Sequence, residues 1–112
     1  MTDIHIEKQK GSIVRVTCSG HTGYGERGED VVCAGISTIV QTALLGLLNV
    51  AKINVDYVIY DATGAIEIST PELSASERHD ADVILNTMLC GISDYYSEYS
   101  DYINLEVEEL CL

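Results

Sequence analysis

Hydrophobic and polar residues alternate along the first twenty positions, in two runs separated by a short turn. Ile4 and Ile6 alternate with polar neighbours, and segment 13–18 repeats the same period of two. Gly11-Ser12, between the two runs, is a dipeptide typical of turns. A period of two is typical of half-buried strands, so the pattern predicts two antiparallel strands joined by this turn.

A long uncharged run follows, and it covers the 21 residues Val31–Ala51. A run of this length could span a membrane. Polar residues such as Gln41 and Asn49 interrupt it, and the preceding strands need a core, so we favour a central buried helix or one shared with a second subunit. The apolar residues recur at steps of three and four, as a helix requires: Ile36, Ile39, Val40, Ala43, Leu44, Leu47 and Leu48.

The region after this run predicts a second hairpin and a second helix. Segments 55–60 and 65–69 have the composition of strands, and they flank the turn-rich connection 61–64. Ser74 followed three residues later by Glu77 matches a capping box, so a helix is expected to begin there. The apolar face of that helix is formed by Ala81, Ile84, Leu85, Met88, Ile92, Tyr95, Tyr96 and Tyr99.

The last element predicted is an edge strand. Segment 102–108 alternates apolar with polar, mainly acidic residues, which places its acids on the outer face of a sheet. The order of elements is then ββαββαβ. We expect an α+β fold with a single two-layer domain over residues 1–112, in which two helices pack on a mostly antiparallel sheet.

The net charge of the protein indicates which classes of macromolecule it can bind. The net charge is −12, and thirteen acids follow Lys52 against one base, Arg78. Such a surface repels phosphate backbones, so we expect no direct nucleic-acid binding. It favours encounter with basic partners, although solubility alone also accounts for it.

The amino terminus and the cysteines indicate a compartment. The first residues lack the basic region and apolar core of a signal peptide. The four cysteines, Cys18, Cys33, Cys90 and Cys111, have neither the close pairs of a zinc ribbon nor the density of a disulfide scaffold. We therefore expect a cytoplasmic protein with reduced thiols that does not associate with a membrane.

The stretch between the first hairpin and the first helix has features of two kinds of ligand site, and other features of the sequence disfavour both. Segment 23–28 matches the phosphate-binding pattern G-x-G-x-x-G, but Glu29 and Asp30 would meet the phosphate, and hairpins flank the segment. Metal binding through His21, Cys33 and Cys18 lacks paired spacing and a fourth ligand. We therefore expect neither a cofactor nor a metal.

A third hypothesis for the same stretch is a cysteine nucleophile with a histidine base. Asp30 fits a helix N-cap, which would place Cys33 near the third helical position, among unpaired backbone N–H groups. Those donors and the helix dipole stabilise a thiolate, and His21 could form an ion pair with it. A cysteine in a first turn is most often only packed, so this chemistry leaves catalysis and packing both open.

The same residues resemble the motif of a known family. Gly20-His21, a glycine-rich loop, segment 28–34 and Ser37 are similar to the signature of the ribosomal-processing cysteine proteases called Prp. The resemblance implies that Cys33 is the nucleophile and His21 the general base and acid. It also implies supporting roles, with Asp30 as cap or orienter of the histidine and Ser37 as a hydroxyl that shapes the site.

The resemblance further implies a substrate and an assembly state. Members of that family remove a short N-terminal extension from the precursor of bacterial large-subunit ribosomal protein number twenty-seven, and they are homodimers. The implied partners are thus a basic ribosomal protein precursor and a second copy of the chain. The alternative is an acidic, dimeric and non-catalytic ribosome-assembly factor that binds a basic ribosomal protein.

The glycines suggest a mobile loop beside the site. Four of the nine residues 20–28 are glycine: Gly20, Gly23, Gly25 and Gly28. Glycine leaves the backbone with more conformational freedom than any other residue. We therefore expect this loop to be mobile without substrate and to close over it.

Overall fold

The described part of the chain folds as five strands and two helices in the predicted order ββαββαβ. A computed structural model describes residues 1–20, 27–60 and 64–110, and for residues 27–30 it describes the backbone alone. The elements are β1 (Thr2–Gln9), β2 (Ser12–Gly20), α1 (Arg27–Leu45), β3 (Asp56–Tyr60), β4 (Ala65–Ser69), α2 (Ala75–Tyr99) and β5 (Ile103–Leu110).

The strands form one sheet in the order β3-β4-β2-β1-β5. β1 and β5 are parallel, and the other three pairings are antiparallel. The predicted α+β fold with a mostly antiparallel sheet is therefore confirmed. The predicted edge strand is β5, which reaches the side of β1 by way of the long helix α2.

Apolar and polar residues alternate along the strands, so the sheet has one apolar face. Both helices cover that face. Ile4 and Ile6 of β1 and Val16 of β2 are 2% exposed or less, while His5 between the first two lies on the opposite face. Helix α1 covers the apolar face with residues three or four apart, as expected for a buried helical stripe: Val32, Ile36, Val40, Ala43 and Leu44. The core therefore lies between the sheet and the two helices.

The first helix begins earlier and ends differently than the sequence predicted. α1 starts at Arg27, and the helix continues after Leu45 as one π-helical turn, Gly46–Val50. The backbone N–H of Ala51 donates to Gly46 O at 2.9 Å and closes this turn. Lys52 then adopts a positive φ of 58°, which ends the helical direction.

Segment Val31–Val50 is the one helix in the described part of the chain that is long and apolar enough to cross a membrane. The core helix of a soluble protein can have the same length and composition. About a third of this segment is buried within the protein. The apolar stripe of α1 therefore already has a partner, the inner face of the sheet.

The second helix begins with the predicted capping box. Ser74 Oγ accepts a hydrogen bond from Glu77 N at 3.3 Å, and the Glu77 carboxylate accepts one from Ser74 N at 3.1 Å. These two bonds satisfy donors that the first turn of a helix leaves unpaired. Four side chains of α2 are buried against the core: Ala81, Leu85, Met88 and Ile92.

Truncation of Leu85 tests this packing. Leu85 is 1% exposed, so we expect Leu85→Ala to lower the free energy of unfolding by about 2–5 kcal/mol through lost burial and a residual cavity. The matched control is Val83→Ala on the same helix, where the side chain is 54% exposed and the change should cost less than about 1 kcal/mol. Urea unfolding followed by circular dichroism measures both. Equal losses in the two variants would contradict the assignment of the buried face.

Candidate active site

Cys33 lies on the first half of α1 and contacts the end of β2. A Cβ built on Gly20, the last residue of β2, would lie 2.5 Å from Cys33 Sγ. Real Cβ atoms do not approach a sulfur so closely, so the sulfur fills the space that a side chain at position 20 would need. Gly20 does not have a positive φ, which means that glycine is required here for space.

This contact joins two parts of the predicted motif. The residue that follows Gly20 in the chain is His21, the predicted general base, and it lies outside the described residues. The neighbour of the predicted base therefore packs directly against the predicted nucleophile.

Two expectations about this stretch are wrong. Asp30 is not the N-cap, because α1 begins at Arg27 and Asp30 is its fourth residue. Cys33 is consequently the seventh helical residue and lies beyond the unpaired N–H groups of the first turn. A thiolate at Cys33 cannot be stabilised by those amides, so that part of the sequence argument fails.

Two of the four glycines assigned to the predicted loop lie in a strand or a helix instead. Gly20 belongs to β2 and Gly28 to α1, so neither is a loop residue. Gly23 and Gly25 lie outside the described residues, and the expected mobility stays a prediction for them.

Ser37 lies one helical turn after Cys33. Residues four apart share a helix face, so the Ser37 hydroxyl and the Cys33 thiol lie on the same side of α1. Both side chains are partly buried. The position fits a hydroxyl beside the predicted nucleophile, and the role of Ser37 stays a prediction.

Two further residues lie beneath Cys33, and the sequence argument named one of them, Cys18, only as a possible metal ligand. Cys18 precedes Gly20 by two residues on the same sheet face, and it is 1% exposed. Burial, with smaller contributions from Cys33 and Asp3, raises the pKa of Cys18 to about 12. Cys18 therefore remains a protonated thiol. Thr2, opposite Gly20 in the β1–β2 pairing, is fully buried.

Gly35 of α1 accommodates an aromatic ring from α2. A Cβ on Gly35 would clash with the ring and hydroxyl of Tyr95. Tyr95 also lies 5.5 Å from Tyr99, centroid to centroid. The absence of a side chain at Gly35 thus lets the two helices approach each other just after Cys33. A glycine inside a helical pattern was the sequence feature that could have indicated this contact.

A group that could hold a metal ion lies on the other face of the sheet. His5, Glu7 and Glu108 place possible ligand atoms within 4.8 Å of one another. The parallel β1–β5 pairing sets His5 beside Glu106 and Glu7 beside Glu108. The shortest of these contacts joins His5 Nε2 to Glu108 Oε2 at 3.1 Å. These side chains are partly exposed and are separated from Cys33 by the sheet.

Gly20→Ala tests the contact between β2 and Cys33. The new methyl group would overlap the sulfur, so we expect a destabilisation of about 1–3 kcal/mol and at least a tenfold slower alkylation of Cys33. Gly91→Ala is the control, because a Cβ there would meet Ile39 at an ordinary 3.6 Å. Thermal unfolding and mass spectrometry of the iodoacetamide-labelled Cys33 peptide give the two readouts. Wild-type reactivity in Gly20→Ala would show that the contact does not position the sulfur.

Comparison with known proteins assigns the chain to a family. A family model described as "Cysteine protease Prp" matches residues 1–104. The ribosomal processing cysteine protease Prp of Staphylococcus aureus is 29% identical over 96 residues, which cover 86% of this chain and 88% of that protein. The protein of the same name from Bacillus subtilis is 27% identical over 96 residues, covering 85% of this chain and 84% of its own length.

Solved structures give the same assignment. The S. aureus protease in complex with a substrate peptide superposes with a TM-score of 0.85 at 26% identity, over 96% of this chain and 99% of that one. The same protease with a covalently linked product peptide gives a TM-score of 0.80 at 28% identity, with the same coverage. Because the family model spans nearly the whole chain, this protein belongs to the cysteine protease Prp family and is a cysteine protease.

Proposed function

We propose that this cysteine protease removes the short N-terminal extension from the precursor of bacterial large-subunit ribosomal protein number twenty-seven, in the cytoplasm. The observation that carries the proposal is the packing of Cys33 Sγ against Gly20, the residue before His21, in a chain of the Prp family. The relatives are named ribosomal processing proteases, and the S. aureus protease has been solved with a substrate peptide.

The proposed mechanism is acyl transfer between a cysteine and a histidine. Cys33 thiolate attacks the scissile carbonyl carbon, and the carbonyl oxygen takes the negative charge. When the tetrahedral intermediate collapses, the C–N bond breaks and His21 gives its proton to the leaving amine. His21 then takes a proton from water, whose oxygen attacks the thioester and releases Cys33. The covalently linked product peptide of the S. aureus protease supports a covalent route.

Supporting roles are proposed for two further residues. Asp30 is one of the residues of α1 before Cys33, and with the cap excluded its proposed role is to orient His21. Ser37 shares the Cys33 face of α1, and its hydroxyl is proposed to shape the substrate site.

The charge of the protein supports a basic substrate. The net charge of −12 attracts a cationic ribosomal protein precursor and raises its encounter rate, an effect that added salt screens. The same charge disfavours direct binding of the protease to RNA or DNA.

Removal of the two proposed catalytic residues tests the mechanism. The substrate is a peptide that spans the extension junction of the host's own precursor, and mass spectrometry identifies the products. We expect Cys33→Ala and His21→Ala each to lower kcat/KM by at least about 1000-fold, since each removes one half of the nucleophile–base pair. Cys90→Ala, which changes an exposed thiol on α2, is the matched control and should cleave as wild type does.

The outcomes separate the protease from the assembly factor. Cleavage at one bond by wild type and Cys90→Ala alone supports the proposed mechanism. Tight binding without cleavage by every variant would favour the non-catalytic assembly factor. Cleavage retained in Cys33→Ala would exclude Cys33 as the nucleophile.

We also propose that the protein is a homodimer. The sequence resemblance implies it, and α1 supports it, because Leu45 is 55% exposed and Val50 in the following turn is 81% exposed in the single chain. Size-exclusion chromatography with light scattering should give about twice the chain mass of 12.2 kDa. A mass near 12.2 kDa at micromolar concentration would contradict the dimer.

A further inference from the structure

Thr2 carries a buried hydroxyl group that has no hydrogen-bond partner among the described residues. Its side chain is fully buried, and Oγ1 is one of the few unsatisfied polar side-chain atoms in the part of the chain that the structure describes. Buried hydroxyls in folded proteins almost always have a partner, so an exception requires a physical reason. A hydroxyl that is unpaired in one state of the protein can be paired in another.

The pairing of the strands places this hydroxyl at the border of the space that the Cys33 sulfur occupies. Thr2 lies directly opposite Gly20, and both face the helices. The position that a Cβ on Gly20 would take is 2.5 Å from Cys33 Sγ and 3.6 Å from Thr2 Oγ1. The missing side chain of Gly20 therefore leaves one small space into which the sulfur and the hydroxyl both project.

The backbone holds Thr2 in this place from both sides. Its N–H donates to Tyr102 O at 2.9 Å, and β1 lies between β2 and β5 in the sheet. The backbone of Thr2 is thus fixed. The hydroxyl can move only by rotation about χ1, and its hydrogen by rotation about the C–O bond. A hydrogen bond from Thr2 to Cys33 Sγ therefore needs a rotation about χ1 of Thr2 or of Cys33, and it needs no movement of a strand.

The other groups around Cys33 bear on which donor could stabilise a thiolate there. The structure excludes the first-turn amides of α1 as donors, because Cys33 is the seventh residue of that helix. Cys18, the other titratable side chain beneath Cys33, is kept neutral by burial, and Asp3 of β1 acts on it in the same direction. On the α2 side the titratable group is Tyr95, which packs at Gly35. Thr2 is therefore a neutral donor placed where a thiolate needs one.

We propose that Thr2 is a positioning residue whose hydroxyl donates a hydrogen bond to Cys33 Sγ when the sulfur is a thiolate. The inference rests on the proposed role of Cys33 as nucleophile. A thiol is a weak acceptor and leaves the hydroxyl unpaired, whereas a thiolate is a strong acceptor. A hydrogen bond made only to the charged form lowers the pKa of the group that accepts it. Thr2 thereby raises the fraction of reactive thiolate near neutral pH.

The test is the pH dependence of Cys33 alkylation in two variants of Thr2. Thr2→Val keeps the shape of the side chain and removes the hydroxyl, while Thr2→Ser keeps the hydroxyl. We expect Thr2→Val to slow the alkylation of Cys33 about tenfold near neutral pH, because the thiolate loses its hydrogen-bond donor. Thr2→Ser should retain the wild-type profile. Mass spectrometry of the labelled Cys33 peptide separates its rate from those of the other cysteines.

A matched control and a second background keep the result specific. Thr17→Val makes the same change on β2, on the opposite face of the sheet, and should not alter the profile. The comparison is repeated in the His21→Ala background. The effect of Thr2→Val on Cys33 alkylation should persist there, because the proposed hydrogen bond joins Thr2 to Cys33 directly and does not involve the imidazole. Thermal unfolding should show Thr2→Val folded, because replacement of an unsatisfied hydroxyl by a methyl removes a buried polar group.

The results distinguish this inference from the proposed mechanism. An unchanged alkylation profile in Thr2→Val, or an equal change in Thr2→Ser, would overturn the role of Thr2 even if Cys33→Ala abolishes cleavage. If Cys33→Ala still cleaves, the proposed mechanism fails, while the alkylation profile still reports whether Thr2 stabilises the Cys33 thiolate.

Discussion

The close approach of α1 to the end of β2 is the constraint on which the candidate site depends. Position 20 must lack a side chain, because the Cys33 sulfur occupies the space where a Cβ would be. This contact exists only because the apolar stripe of α1 is buried on the inner face of the sheet. The proposed nucleophile is therefore positioned by the hydrophobic core, and the residue before the proposed base is part of the same contact.

The two faces of the sheet have different chemistry. The inner face supports α1 and α2 and carries the thiol site, with neutral or apolar side chains such as Cys18 and Ile4 buried around it. The outer face carries charged residues, among them His5 with Glu106 and Glu108 around it. Strand alternation separates them, because successive side chains point to opposite faces. The negative charge that we propose to attract a basic substrate is thus kept off the sheet face beneath the thiol.

The residue at which α1 begins decides which groups can account for the reactivity of Cys33. A cysteine in a first turn would owe its reactivity to helix amides, but Cys33 lies beyond them. Stabilisation of a thiolate must then come from side chains or from the segment that contains His21. The unpaired hydroxyl of Thr2 is one such group in the described part of the chain, and it belongs to the first strand, far from Cys33 in sequence.

The sequence by itself determined the order of elements, the inner and outer faces, the capping box at Ser74 and the motif that contains Cys33. These features depend on local periodicity or on residues a few positions apart, which a single sequence displays directly. Only the tertiary structure decided that Gly20 serves for space, that α1 begins at Arg27, and that Thr2 and Cys18 lie beneath the sulfur. Contacts between distant segments are set by strand register and by how a helix packs on the sheet, and neither is encoded in local spacing.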